Sequence, residues 1–207
     1  MTVTYGMNVM PYARKDTITW MPGSYYHIYN RGVNKSTLFR EEENYMFVLR
    51  KARTYCDDFR LTLIAYCLMP NHYHFLARQD GKQPAGLLPQ RIFNSYTKAY
   101  NRRYDHSGTL FERRYQAKLI ESEAHLLHLC RYIHANPVKD RITIEVEDWP
   151  YSNYLEWIRR RDGNLVDSAF VEEHFRSGED YKDFVNDYLR TRKLPEEVAN
   201  YLSDLER

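Results

Sequence analysis

Two histidines, His72 and His74, lie one residue apart in the stretch LMPNHYHFLARQ, directly behind a proline and an asparagine. If this stretch is a β-strand, both side chains point to the same face, because residues i and i+2 of a strand share a face. Two neighbouring imidazoles on one face can bind a single divalent cation. Because the chain contains eight histidines, this spacing also arises by chance, so the pair needs a third ligand and a reactive group.

A second set of candidate residues is found in RYIHANPVKD, where Tyr132 and Asn136 are four residues apart. On a helix, this spacing places both on one face, one turn apart. Each residue also has an ordinary structural interpretation. A tyrosine at the border of an apolar stripe is often a residue of the core edge, and an asparagine before a proline is common where helices end. We expect Pro137 to end this helix.

The hydrophobic pattern predicts the elements that must hold these residues. Strands are predicted in SYYHIYNRG, at 60–69, at 72–78 and in YQAKLIE. Helices are predicted in LFREEENYMFVLRKARTYCDDF, at 86–104 and in EAHLLHLCRYIHAN, the last with Ser122 as its N-cap. The order β, α, β, β, α, β predicts an α+β fold: a ferredoxin-like antiparallel sheet with helices on one face, followed by a C-terminal helical extension.

The distribution of charge is more informative than the net charge of +2. Acidic residues gather after about residue 145, whereas QRIFNSYTKAYNRRY and FERRYQAK are basic and rich in tyrosine. Cationic and aromatic side chains together suit the phosphates and stacked bases of single-stranded nucleic acid. A solvated helix face with tyrosines in the core would give the same pattern. The candidate phosphate contacts are Arg102, Arg103, Arg113, Arg114 and Lys118.

The combination of PNHYH with YIHANP about 60 residues later resembles the single-tyrosine HUH transposases, and specifically the REP-associated tyrosine transposases. YHIYNRG, GTLFERRYQAKLI and WPYSNY agree with that subfamily, so the resemblance covers about residues 24–157. Tyr73 stands where the family usually has a hydrophobic residue between the histidines. An aromatic ring can still pack on the opposite face of the strand.

The resemblance implies a role for each candidate. His72 and His74 would be the metal-binding pair, Asn136 the third ligand of a Mg²⁺ or Mn²⁺ ion, and Tyr132 the nucleophile. The implied activity is cleavage and rejoining of single-stranded DNA through a 5′-phosphotyrosine intermediate. The implied partner is hairpin DNA from repetitive extragenic palindromes (REP), bound by a protein that we expect to be a monomer, with a homodimer as the alternative.

The length of 207 residues allows one core with an appendage. We predict an N-terminal arm at 1–22, an HUH transposase catalytic domain at 23–149 and a helical C-terminal extension at 150–207. No stretch approaches the roughly 18 consecutive apolar residues of a membrane span, and the N-terminus lacks the apolar segment of a secretory signal. We therefore expect a cytoplasmic protein, with Cys56, Cys67 and Cys130 as reduced core thiols.

Three other functions fit parts of the pattern. A replication-initiator or relaxase-type HUH nickase would share the histidine pair and the tyrosine chemistry. A DNA-binding protein of the same fold could recognise a sequence without cutting it. An RNA-binding module is also compatible, because a ferredoxin-like sheet says little about function.

Overall fold

Four antiparallel strands form the sheet that carries the candidate residues. The computed structural model describes residues 18–206, with side chains from 18 to 203. The strands are Tyr25–Arg31 (β1), Leu61–Met69 (β2), His72–Gln79 (β3) and Gln116–Ile120 (β4). Their spatial order is β2-β3-β1-β4, and each neighbouring pair is antiparallel. This confirms the predicted ferredoxin-like sheet.

Helices cover both faces of this sheet. The helices are Glu42–Phe59 (α1), Leu87–Arg103 (α2), Glu123–Lys139 (α3), Tyr154–Trp157 (α4), Ser168–His174 (α5), Gly178–Thr191 (α6) and Glu196–Glu206 (α7). On β3, the ring of Tyr73 stacks at 4.2 Å on Phe93 of α2, whereas His74 faces Tyr132 of α3. The ring of Phe47 on α1 lies 5.7 Å from that of Tyr96 on α2, so α1 and α2 share one face as predicted. The prediction of helices on one face does not hold for α3, which lies on the opposite face with the histidines.

The hairpin of β2 and β3 holds the histidine pair at its turn. Met69 pairs with His72, and Pro70 and Asn71 form the connection. The Pro70 carbonyl accepts from the backbone of both Leu38 and Phe39, which fixes the turn against the chain after β1. Because helices cover both faces, eight of the nine residues of β2 are buried. Its sequence does not alternate, and Thr62, the one residue that is not buried, interrupts a largely apolar run.

The helix α3 does not end at Pro137, so the prediction that Pro137 stops it was wrong. It continues to Lys139 with the proline inside. A proline cannot donate a backbone hydrogen bond, which leaves the carbonyl four residues earlier without its helical partner. Here Nδ2 of Asn136 donates to the carbonyls of Tyr132 at 2.9 Å and Ile133 at 3.3 Å. The side chain of Asn136 thus replaces the missing donor, while Ser122 caps the other end as predicted.

The segments after residue 149 pack on α3 and β2. Asn153 receives the backbone N–H of Tyr66 at 2.8 Å, and Leu68 donates to the carbonyl of Tyr151 at 2.9 Å. On α3, the buried Arg131 donates to the carbonyl of Lys193 at 2.8 Å. The helical extension is therefore anchored directly to the helix that carries Tyr132.

The structure also bears on the expectations about membrane spans, cysteines and domain boundaries. Within residues 18–206, no helix combines the length and the apolar character needed to cross a membrane. The three cysteines are buried free thiols, as predicted. The proposed boundaries after residues 22 and 149 stay predictions, and residues 1–17 of the arm lie outside the described part of the chain.

Candidate active site

A cavity of about 580 Å³ opens between the sheet and α3, and we call it the site cavity. It brings together the four predicted residues His72, His74, Tyr132 and Asn136. The other residues that line it are Tyr29, Asn30, Arg31, Lys35, Asn71, Glu112, Arg113, Gln116, Lys139 and Asp140. Residues more than 100 positions apart in sequence thus meet at one site.

The two histidines present one ring nitrogen each to a ligand. Their rings are 5.1 Å apart and nearly perpendicular, on the same face of β3. Nδ1 of His72 is 2.7 Å from Oδ1 of Asn71, and Nδ1 of His74 is 2.9 Å from Nε2 of His27. Both Nδ1 atoms are therefore engaged in hydrogen bonds within the protein. Among the described residues, Nε2 of either ring has no hydrogen-bond partner, so it is the atom available to a metal ion.

Both imidazoles are neutral near pH 7, which is the state that binds metals. Burial, and then the positive charge of Lys139, lowers the pKa of His72 to about 4. Burial also holds the pKa of His74 well below its ordinary value, with His27 and His72 as further causes. Neutral rings keep a lone pair without the need to release a proton first.

Asn136 offers an oxygen to the same cavity. Its Nδ2 is used by the helix carbonyls, so Oδ1 is the atom left for another partner, and the side chain is buried at 1% exposure. No group of three or more His, Cys, Asp or Glu side chains that could hold a metal occurs within residues 18–206. Two imidazoles and one amide oxygen fit an open site whose remaining ligands come from water or phosphate.

Tyr132 lies between the histidines and a lysine. Its ring is 5.9 Å from that of His74 at an angle of 80°, and only 3% of the side chain is exposed. Lys139, two helical turns further along α3, donates from Nζ to the Tyr132 hydroxyl at 3.2 Å. The same ammonium lies 4.5 Å from the centre of the ring. The positive charge of Lys139 can stabilise negative charge on the phenolic oxygen as it attacks a phosphate.

The five predicted phosphate contacts fall in different places. Arg113 lines the site cavity. Lys118 is opposite His27 on β4, with its ammonium 4.1 Å from the ring of Tyr201. Arg114 lies over the ring of Tyr115. Arg102 and Arg103 are in the last turn of α2, outside the cavity, and Arg103 pairs with Glu41 at 2.8 Å.

Several residues of the site were not predicted from the sequence. Lys139 carried a detectable signal, because a residue seven positions after Tyr132 shares its helix face. His27 and Asn71 hold the two histidines, but their roles depend on which strands pair and in what register. Arg31 forms an ion pair with Glu112 at the cavity wall, and the partner lies 81 residues away in sequence.

Known proteins that are similar to this chain identify its family. A curated protein of Haemophilus influenzae, named "Putative REP-associated tyrosine transposase", is 29% identical over 110 residues. That match covers 48% of this chain and 62% of the relative, so the chain spans less than two thirds of the relative's length.

A solved structure is similar to this chain in fold. The "Structure of the REP associates tyrosine transposase bound to a REP hairpin" superimposes with a TM-score of 0.61 at 18% identity. The superposition covers 75% of this chain and 94% of that one. The family model described as "Transposase IS200 like" matches residues 21–136, more than half of the chain and the whole span from β1 to Asn136. The chain therefore belongs to the IS200-like transposase family.

Proposed function

We propose that this protein cleaves and rejoins single-stranded DNA with Tyr132 as the nucleophile. The observation that carries the proposal is the position of the Tyr132 hydroxyl, in one cavity with two neutral imidazoles and beside the ammonium of Lys139. A phenol is a better leaving group than an aliphatic alcohol, so a bond from Tyr132 to phosphorus can be reversed. Rejoining is therefore possible without an external energy source.

The proposed step is a displacement at phosphorus. Oη of Tyr132 loses its proton to solvent and forms the bond to phosphorus, and the bond from phosphorus to the 3′ oxygen breaks. The leaving 3′ oxygen takes up a proton from solvent, so the products are a 5′-phosphotyrosine link and a free 3′-OH. This polarity is the one implied by the resemblance. Lys139 stabilises the phenolate before attack and again when the link is broken.

A divalent ion, Mg²⁺ or Mn²⁺, would be held by Nε2 of His72, Nε2 of His74 and Oδ1 of Asn136. When bound, it would act as a Lewis acid on the scissile phosphate. The chain's own groups then orient the reaction: α3 fixes Tyr132, and β3 fixes the two imidazoles. The neutral rings and the oriented amide support this ligand set.

The proposed substrate is REP-type hairpin DNA with a flanking single strand. The structural relative is described as bound to a REP hairpin. In this chain, the cavity wall carries Arg31, Lys35, Arg113 and Lys139, and both Arg31 and Arg113 lie within ion-pair distance of Glu112. These positive groups suit a phosphate backbone entering the cavity. Because one chain supplies both the histidines and Tyr132, we propose a monomer whose site needs no second subunit.

The test is a covalent-trapping assay with the full chain and labelled hairpin DNA, with and without Mn²⁺ or Mg²⁺. We expect a denaturation-resistant adduct that requires the ion and is absent in Tyr132→Phe and His72→Ala. Tyr188→Phe is the matched control, because Tyr188 is a buried tyrosine 6.5 Å from the ring of Tyr132 and outside the cavity lining.

Two results would overturn the proposal. DNA binding without an adduct over a range of hairpins would identify a DNA-binding protein that does not cut. An adduct that persists in Tyr132→Phe would identify a different nucleophile.

A further inference from the structure

Behind His74, two side chains form a hydrogen-bonded chain that reaches the C-terminal helix. Nε2 of His27 is 2.9 Å from Nδ1 of His74, and Nδ1 of His27 is 2.5 Å from Oη of Tyr201. His27 is fully buried on β1, and Tyr201 is buried on α7. The site cavity is lined by neither residue. The proposed reaction therefore gives them no direct part.

The direction of these hydrogen bonds decides which nitrogen of His74 carries its proton. A neutral imidazole has one N–H and one lone pair. If the Tyr201 hydroxyl donates to His27, the His27 proton lies on Nε2 and is donated to Nδ1 of His74. The His74 proton is then on Nε2, where it blocks a metal ion.

The opposite direction opens the site. If Oη of Tyr201 accepts from Nδ1 of His27, Nε2 of His27 has the lone pair and accepts from Nδ1 of His74. Nε2 of His74 then carries the lone pair. Metal-binding histidines in general donate their other N–H to such a fixed acceptor, which sets the tautomer and the ring orientation.

We propose that His27 and Tyr201 are positioning residues, which select the His74 tautomer whose Nε2 lone pair faces the cavity. The inference rests on the proposed metal site for its functional consequence. It makes α7 a determinant of metal affinity, although this helix supplies no ligand.

Other contacts hold the ring of Tyr201 in place beside His27. The ammonium of Lys118 lies 4.1 Å from the centre of its ring, on the β4 side. The ring of His125 on α3 meets it edge-on at 5.2 Å, and Glu197 on α7 lies 3.4 Å from His125. Tyr201 is thus fixed from both α3 and β4, so its hydroxyl stays beside His27.

The first experiment reads the tautomer in the metal-free full chain by ¹⁵N NMR of labelled histidine side chains. We expect His74 to be protonated at Nδ1 and unprotonated at Nε2. Tyr201→Phe removes the final acceptor and should convert His74 to a mixture of tautomers. A His74 protonated at Nε2 in the unmodified protein, or unchanged in Tyr201→Phe, would overturn the inference.

The matched control is Tyr181→Phe. Tyr181 makes the same type of bond, from its hydroxyl to Nδ1 of His134 at 2.6 Å, but on another face of α3. This variant should alter the signals of His134 and leave those of His74 unchanged. If it changes His74 as much as Tyr201→Phe does, the effect is a general loosening of the fold and the inference fails.

The second experiment measures Mn²⁺ affinity by calorimetry. We expect Tyr201→Phe to raise the dissociation constant by about tenfold or more and Tyr181→Phe to leave it unchanged. At His27, glutamine still offers an acceptor to Nδ1 of His74, whereas phenylalanine does not. His27→Gln should therefore retain more affinity than His27→Phe, and the reverse order would contradict the inference.

These experiments separate the two proposals. If the unmodified protein binds no Mn²⁺, the metal site of the proposed function fails, and the NMR result on the metal-free chain still decides the tautomer. If Tyr201→Phe does not fold, the two substitutions at His27 provide the same comparison.

Discussion

Lys139 gives the sharpest test of the proposed chemistry, because it contacts the nucleophile and is not a proposed metal ligand. Its Nζ is 3.2 Å from the Tyr132 hydroxyl. At that distance, the attraction between the ammonium and a phenolate is about 5 kcal/mol at an effective dielectric constant of 20 and about 1.3 kcal/mol in water. Lys139 is half-buried, so the value lies between these limits and toward the lower one.

We therefore expect Lys139→Met to slow covalent adduct formation by about 10- to 100-fold, which corresponds to about 1.4–2.7 kcal/mol of lost stabilisation. The assay is single-turnover adduct formation at saturating hairpin DNA, so that weaker DNA binding does not affect the rate. Lys139→Arg keeps the charge and should retain most of the rate. Lys98→Met removes an exposed charge on α2 and serves as the control for net charge.

Two outcomes would refute this reasoning. If Lys139→Met reacts at the unmodified rate, the ammonium does not stabilise the phenolate in the reaction. If Lys139→Arg loses as much activity as Lys139→Met, the packing of the lysine chain matters rather than its charge.

Three further predictions address stability and binding. Asn136→Asp replaces the Nδ2 donor of two carbonyls by a carboxylate oxygen, so we expect the free energy of unfolding to fall by at least about 2 kcal/mol; an unchanged Tm would contradict this. Burial lowers the pKa of His134 to about 4, below its ordinary 6.5. The neutral imidazole therefore contributes fully to the stability of the fold above pH 6.5, and this stability is lost as the pH falls toward 4. In urea unfolding, His134 should account for about 2.5 kcal/mol of the free energy of unfolding that is lost between pH 7 and pH 4.5. If His134→Gln loses as much free energy over this range as the unmodified protein, the pH dependence comes from other groups. In DNA binding, Arg113→Ala should reduce the slope of log affinity against log salt by about 0.7, whereas Arg103→Ala, which lies outside the cavity, should leave it unchanged; equal slopes for both variants would show that the cavity does not define the DNA path.

Local patterns predicted the elements well. The strands at 61–69 and 72–79 lie within one residue of their predicted bounds, because a turn between two apolar runs is encoded by neighbouring residues. The shared face of His72 and His74, and that of Tyr132 and Asn136, follows from the period of a strand and a helix. These four candidates therefore came from short-range geometry together with the family resemblance.

Contacts between distant segments could not be predicted in this way. The bond from His27 to His74 depends on the pairing of β1 with β3, and the hairpin motif does not specify that register. The basic residues were selected by charge alone, which does not tell which face of the sheet each one occupies. The predicted end of α3 was wrong for a related reason. Propensity rules describe the backbone of Pro137, whereas the side chain of Asn136 supplies the hydrogen bonds that let the helix continue.

The dual use of Asn136 has an evolutionary consequence. One amide completes the backbone of α3 with its nitrogen and offers its oxygen to the site, so a substitution there costs stability before it costs activity. A copy of this protein that loses its function by drift would therefore remain folded most easily by changing Tyr132 or a histidine while Asn136 persists. In inactive descendants, the asparagine would then be a relic of the helix rather than a sign of retained catalysis.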